Sequence, residues 1–243
     1  MRHLRTALVA SIAVVLGGLA TVHALSRPMA PSGGALVRLS APAGEAPAPR
    51  GASSETVVLS GGCFWGVQGV FQHVRGVRSA VSGYAGGAAA TADYDLVSTG
   101  TTGHAESVKI TFDPSVVSFG QILQVFFSVA TDPTQLNQQF PDQGPQYRSE
   151  VFFTTPAQAA LAHAYIAQLD RTHAFARPIV TRVDPLRGFY PAEAYHQDYL
   201  TLHPDRTYIA TYDLPKVAAL KSLFPEAYTV KPTLVTATGQ PPV

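Results

Sequence analysis

Val57-Val58-Leu59-Ser60-Gly61-Gly62-Cys63-Phe64-Trp65-Gly66 holds the only cysteine of the chain and, two residues on, its only tryptophan. Val57 to Leu59 reads as a short buried strand, and the two glycines break it. Beyond them Cys63, Val67, Val70, Phe71 and Val74 recur with the spacing of one helical face. Gly76 marks the stop. Cys63 is therefore expected where a strand hands over to the first turn of a helix. Unpaired N–H groups and the positive end of the helix dipole favour a thiolate there. Helix N-termini can bring a thiol from a pKa near ~8.5 down to roughly 3.5–7.5. The competing reading is a small buried hydrophobe, the usual role of a free cysteine.

Outward from this stretch the elements follow in order. Val77 to Ala85 reads as a second strand, and Gly86-Gly87 opens a small-residue loop that carries Tyr94 and runs to Gly103. His104 to Phe112 alternates strictly, with Val108, Ile110 and Phe112 on one face. Glu106 shares that parity, which places a carboxyl at the end of a buried face. Apolar surroundings raise a carboxyl pKa, so it can stay protonated near neutrality and act as a general acid. Ser118 to Ala130 reads as a helix with a Ser118/Gln121 capping box. A polar loop holds Asp142, Gly144, Pro145 and Tyr147. Arg148 to Phe153 reads as a strand, and Thr155-Pro156 starts a helix to about Arg171. Ile179 to Val183 is expected as a short strand. Pro191 is expected to start a helix with Tyr195, His196 and Tyr199, and Leu214 to Leu223 is the last helix.

The order strand, helix, strand, strand, helix, strand predicts an α+β fold. It is a ferredoxin-like split βαβ two-layer sandwich, a mostly antiparallel sheet with helices on one face. Extended C-terminal segments complete it.

Gly61 to Gly66 resembles the active-site motif of the A-type peptide methionine sulfoxide reductases. The likeness continues through Gly83-Tyr84-Ala85-Gly86-Gly87, Gly103-His104-Ala105-Glu106, Asp132-Pro133-Thr134, Gln146-Tyr147-Arg148-Ser149 and Tyr195-His196-Gln197, over residues 56–228. It implies the same fold, with the C-terminal third wrapped around it, and a reductase specific for the S epimer of methionine sulfoxide. Cys63 would be the nucleophile and Glu106 the proton donor. Tyr94 and Tyr147 would donate hydrogen bonds to the sulfoxide oxygen, Asp142 would support the polar side, and Phe64 and Trp65 would hold the methyl group. The resemblance implies no cofactor. With one cysteine no internal disulfide can form, so a Cys63 sulfenic acid would need an external thiol: a thioredoxin-like protein, glutathione or dithiothreitol. Thr131 and Pro145 depart from the family pattern without removing a catalytic group. His104 shares the face of Glu106, which keeps a Cys–His hydrolase open beside a thiol peroxidase. A non-catalytic envelope domain is the remaining reading.

Charged residues make up 14% of the chain and the formal net charge is +1. No basic block suits nucleic acid. Arg2, His3 and Arg5 precede a charge-free stretch from Ala7 to Val22, and Val22-His23-Ala24 fits a cleavage site. Residues 1–24 are thus expected as a signal peptide, or as an anchor, although the apolar stretch falls short of the about 17–25 residues that span a bilayer. Either way the protein is expected to be exported, to the periplasm, the envelope or the medium. Residues 25–55, with scattered prolines among Ala, Gly and Ser, read as a disordered linker. Residues 56–228 form the catalytic domain and 229–243 a flexible tail. Its partners would be methionine sulfoxide, free and in oxidised proteins, and a thiol reductant, with the protein acting as a monomer. Both methionines, Met1 and Met29, lie before the folded region, which suits a protein working amid oxidants.

Overall fold

Glu55–Gly61 forms β1, buried at every position but Thr56. A strand covered on both faces reads as a continuous apolar run rather than an alternation. The structure, a computed structural model, describes residues 37–48 and 51–235. Its main sheet runs β7-β6-β1-β3-β2-β8, from β2 (Val77–Ala85), β3 (Ala105–Phe112), β6 (Ser149–Phe153), β7 (Arg182–Pro185) and β8 (Phe189–Pro191). All pairings are antiparallel except that of β6 with β7. Gln138–Gln139 and Asp142–Gln143 pair separately as a small hairpin, β4 and β5. The α+β class expected from the sequence is the class observed.

Val57 and Leu59 of β1 face the main core, with Val108, Ile110 and Phe112 of β3. Val58 faces the other way and packs with Ala85 and Phe152 under Leu186 and Phe189. The chain between β7 and β8 therefore covers the second face of the sheet. The helix after β1, α1 (Phe64–Gln72), is buried at every residue but Trp65. It touches β2 and β3 and also α5 (Tyr199–Leu202) and α6 (Leu214–Leu223). Its two polar side chains, Gln68 and Gln72, are buried with hydrogen-bond partners, Ala80 O and Gln197 for the first and Asp198 for the second.

The other helices follow their caps. A short α2 (Tyr94–Val97) is capped by Asp93. Helix α3 (Phe119–Val125) carries the Ser118/Gln121 capping box and runs on as a π turn to Ala130. Helix α4 (Pro156–Arg171) starts on the Thr155 cap.

Several expectations shift. Pro191 does not start a helix; it ends β8 opposite Gly83, on an edge strand where its missing N–H is tolerated. Only a turn at Ala194–His196 and the short α5 follow. The interruption is fixed by Gln197, whose side chain accepts from Ser82 N at 3.0 Å and donates to Ser82 O at 2.9 Å. The strand expected from Ile179 to Val183 lies at Arg182–Pro185.

Residues 37–48 depart from the expected disordered linker. Gln124 and Tyr165 donate to Leu39 O and Ser40 O at 2.7 Å each, and Gln168 accepts from Ala43 N at 2.8 Å. Composition argued that this segment lacks apolar surface to bury. It is held by helix side chains that satisfy its backbone, with Ala46 buried in the main core and Leu39 packed against it. Residues 229–235 are likewise tied to the end of α1, by Thr229 N to His73 O and Thr233 N to Gln72 O. The leader, the rest of the expected linker apart from residues 51–55, and the end of the tail lie outside the described residues.

Arg148 joins the strands beneath the site. Its guanidinium donates to Glu150 at 2.5 Å and to the carbonyls of Gly103, His104 and Pro145 at 3.1, 3.2 and 2.9 Å. Glu150 is almost fully buried, and breaking a buried pair leaves an uncompensated charge. Arg148→Leu should lower unfolding free energy by about 3–5 kcal/mol in urea titrations. A loss under about 1 kcal/mol would show that Arg182, 3.7 Å from Glu150, takes over the pairing.

Candidate active site

Gly62 turns the chain from β1 into α1. Its φ is +93°, and a Cβ there would stand 2.5 Å from Gln139 Cβ, so only glycine fits. Cys63 follows as the N-cap residue of α1, just before the first helical turn. Phe64 N–H, in that first turn, donates to Glu106 Oε2 at 3.0 Å. Strand and helix thus bring the two side chains read as nucleophile and acid together. Cys63, Phe64, Trp65, Tyr94, Glu106, Asp142 and Tyr147 all line one cavity of about 210 Å³. Tyr208 is its remaining wall.

The electrostatics differ in one respect from the sequence argument. Burial pushes the Cys63 thiol well above its ordinary value, and the charges of Glu106 and Asp213 push the same way. The Trp65 N–H acts in the opposite direction, as a helix start should, but the other effects outweigh it. The thiolate expected at rest is therefore a thiol. Glu106 behaves as expected: it is 4% exposed, and burial raises its carboxyl to about 8 against the opposing hydrogen bond from Phe64. It is protonated at neutral pH. Burial also raises Tyr94 and Tyr147, with the Glu106 charge as the next cause for each, so both remain hydroxyl donors.

Asp142, on β5, accepts from the Tyr208 hydroxyl. Tyr208 was not singled out in the sequence; a tyrosine beside α6 carries no local mark of a role. His196 was read only as part of a motif, yet it fixes Trp65. Its Nδ1 accepts from Trp65 Nε1 at 3.2 Å, and burial lowers its pKa, so the ring is neutral. Tyr199 stacks on the Trp65 indole at 4.0 Å. The indole is held by a hydrogen bond at one end and a stacked ring on its face, which makes a rigid apolar wall.

His104 does not line the cavity. Its Nδ1 accepts from Gly87 N at 3.2 Å and its Nε2 donates to Ala88 O at 3.0 Å. With both ring nitrogens occupied it has a loop to hold and no hydroxyl or thiol to activate, which removes the Cys–His dyad. Among the described residues no cluster of His, Cys, Asp or Glu is arranged to hold a metal ion.

Residues 55–227 match the family described as peptide methionine sulfoxide reductase. The chain belongs to the A-type peptide methionine sulfoxide reductases. A relative named Peptide methionine sulfoxide reductase MsrA 2, from Mesorhizobium japonicum, is 60% identical over 75% of this chain and 93% of its own length. One of the same name from Synechocystis is 49% identical over 70% and 80%. Among solved structures, methionine sulfoxide reductase A of Corynebacterium diphtheriae aligns with a TM-score of 0.54 at 31% identity, covering 70% of this chain and 84% of that one. Mxr1 from Saccharomyces cerevisiae in reduced form gives 0.57 at 30%, covering 64% and 88%. The reductase is thus an oxidoreductase, a peptide-methionine (S)-S-oxide reductase.

The cavity of this reductase depends on a close approach behind it. A Cβ on Gly66 would stand 2.1 Å from Asp213 Oδ1, and Asp213 is fully buried with Lys216 as its cation at 3.1 Å. Gly66→Ala should therefore cost about 1–3 kcal/mol of stability by overpacking, measured by chemical denaturation. Unchanged stability would mean that Asp213 can swing away freely.

Proposed function

We propose that this enzyme reduces methionine S-sulfoxide, free or within proteins, by attack of Cys63 with Glu106 as proton donor. The observation that carries the reading is the meeting of Cys63, Glu106, Tyr94 and Tyr147 in one aromatic-walled cavity. The substrate's methyl group lies against Phe64 and Trp65, where thioether and methyl find aromatic contact. Tyr94 and Tyr147 donate to the sulfoxide oxygen, and Asp142, held by Tyr208, supports the polar side. Glu106 protonates that oxygen, which makes the substrate sulfur electrophilic. The Cys63 sulfur attacks it, and its proton passes to the Glu106 carboxylate. The thiol needs no prior ionisation, because the carboxylate that accepts its proton forms only in the reaction. The oxygen is transferred to Cys63, giving methionine and a cysteine sulfenic acid.

A single cysteine leaves that sulfenic acid without an internal partner. One external thiol condenses with it, releasing water and forming a mixed disulfide; a second thiol frees Cys63 as the thiol. The reductant is a thioredoxin-like protein, glutathione or, in vitro, dithiothreitol. The sheet order β6-β1-β3-β2, with α1 and α3 as the crossovers, supports the ferredoxin-like label for the core. The leader sequence supports export to the periplasm or envelope, and the protein acts as a monomer.

Cys63→Ser should abolish reduction of dabsylated methionine S-sulfoxide, and Glu106→Gln should lower kcat/KM by roughly 10²–10⁴-fold. Wild-type activity in Glu106→Gln would remove the acid from the mechanism. The acid form of Glu106 exists below its pKa of about 8, so the wild-type rate should fall as pH rises through that value. The residual rate of Glu106→Gln should lack that descent. Multiple turnovers should require added thiol; sustained turnover without any would exclude external resolution.

A further inference from the structure

Tyr94 and Trp65 have separate duties in the cavity, one towards the oxygen and one towards the methyl group, yet a single side chain stands behind both. Of the four residues of α2 only Val97 is buried, so packing does little to fix Tyr94. Asp93 accepts from Asp95 N and Leu96 N at 3.1 and 3.4 Å, which leaves the Tyr94 N–H at the helix start. That donor goes to Glu193 Oε1 at 3.0 Å. Glu193 Oε2 accepts from the Tyr84 hydroxyl at 2.8 Å, and Tyr84 lies in β2, paired across the sheet with Glu106. The carboxylate therefore ties α2 to the strand beside the acid.

Glu193 is itself well anchored. Ala192 N donates to Ser82 O at 2.9 Å, and Gln197 bonds both backbone groups of Ser82, so the segment is pinned to β2 on either side of Glu193. Burial opposes its charge, but hydrogen bonds from its own backbone N–H, from Tyr94 N and from the Tyr84 hydroxyl bring its carboxyl below the usual range. It is ionised at neutral pH.

The same carboxylate faces His196. Because Nδ1 of that ring accepts from Trp65 Nε1, the neutral ring carries its proton on Nε2. Nε2 is buried without a hydrogen-bond partner among the described residues, and Glu193 Oε2 stands 3.8 Å away. A negative charge on that side favours the tautomer with its proton on Nε2. The opposite tautomer would set one N–H against another at the indole. The imidazole lies 4.5 Å from the Tyr94 ring and 5.0 Å from that of Phe64.

We propose that Glu193 is a positioning residue for sulfoxide reduction: one carboxylate holds the Tyr94 donor by its backbone and, through the tautomer of His196, the Trp65 wall. The inference rests on the sulfoxide reductase reading of the cavity, but two of its readouts do not require activity.

Trp65 is the only tryptophan of the chain, so intrinsic fluorescence reports this wall alone. Glu193→Gln keeps the side chain's size, removes its charge and offers one acceptor oxygen in place of two. It should shift the Trp65 emission, and nitrogen NMR should show the His196 proton, confined to Nε2 in the wild type, distributed over both ring nitrogens. Glu193→Ala should lower kcat/KM for methionine S-sulfoxide by about 10²-fold, the cost of a misplaced group near the chemistry, and Glu193→Gln by less. In a Tyr94→Phe background the loss should shrink, because the donor that Glu193 holds is already gone. Should Glu193→Ala not fold, Glu193→Gln alone decides by the same comparison. Equal losses in both backgrounds, with emission and tautomer as in the wild type, would overturn the proposal and leave Glu193 a structural residue. Wild-type kcat/KM in Glu193→Gln would overturn it too. A wild type that reduces no sulfoxide would remove the catalytic reading, and the proposal with it, whereas wild-type turnover with an unmoved variant would remove the proposal alone.

Discussion

The hydrogen bond from Phe64 N–H to Glu106 Oε2 joins the first turn of α1 to β3 and ties Glu106 to the residue that follows Cys63. Each partner satisfies a need of the other. A helix start has N–H groups without intrahelical acceptors, and a buried carboxyl needs a donor. Because Glu106 also pairs across the sheet with Tyr84, its position is fixed by backbone register as well as by that bond. The strand parity that buries Val108, Ile110 and Phe112 therefore also aims the Glu106 carboxyl into the cavity.

Burial and the acids around Cys63 hold it as a thiol. Glu106, Asp142 and Asp213 each oppose ionisation of the thiol. A thiolate is the form that oxidants attack, so a thiol at rest is less open to wasteful oxidation. The same arrangement suits a substrate that carries a partial positive charge on sulfur.

Much of this was legible in the sequence because it was local. Period-two alternation located β3 and buried Glu106, and the glycine pair located the turn before Cys63. The roles of Tyr94, Asp142 and Tyr147 came from resemblance alone, since a loop tyrosine has no pattern of its own. What escaped was non-local. The docking of residues 37–48 depends on Gln124, Tyr165 and Gln168 meeting backbone groups far away in the chain, which composition cannot register. The thiol's direction of shift was misread because local helix geometry was visible while the burial of Cys63 by the folded chain, with Glu106 and then Asp213 adding to it, was not. Tyr208 escaped for the same reason.

Gly66 and Gly69 are costly residues in a helix, each worth about 1 kcal/mol against alanine. Their value lies in what they admit. Side chains at these positions would stand 2.1 Å from Asp213 and 2.7 Å from Leu200. The missing Cβ atoms let the C-terminal segment settle against α1. That contact carries Tyr199 onto the Trp65 indole and brings Tyr208 to Asp142. The sheet and α1 place Cys63 and Glu106, but the aromatic wall is complete only when the last third of the chain lies this close. The two glycines therefore trade helix stability for a closed cavity, and loss of that close packing would open the site while leaving the sheet beneath it intact.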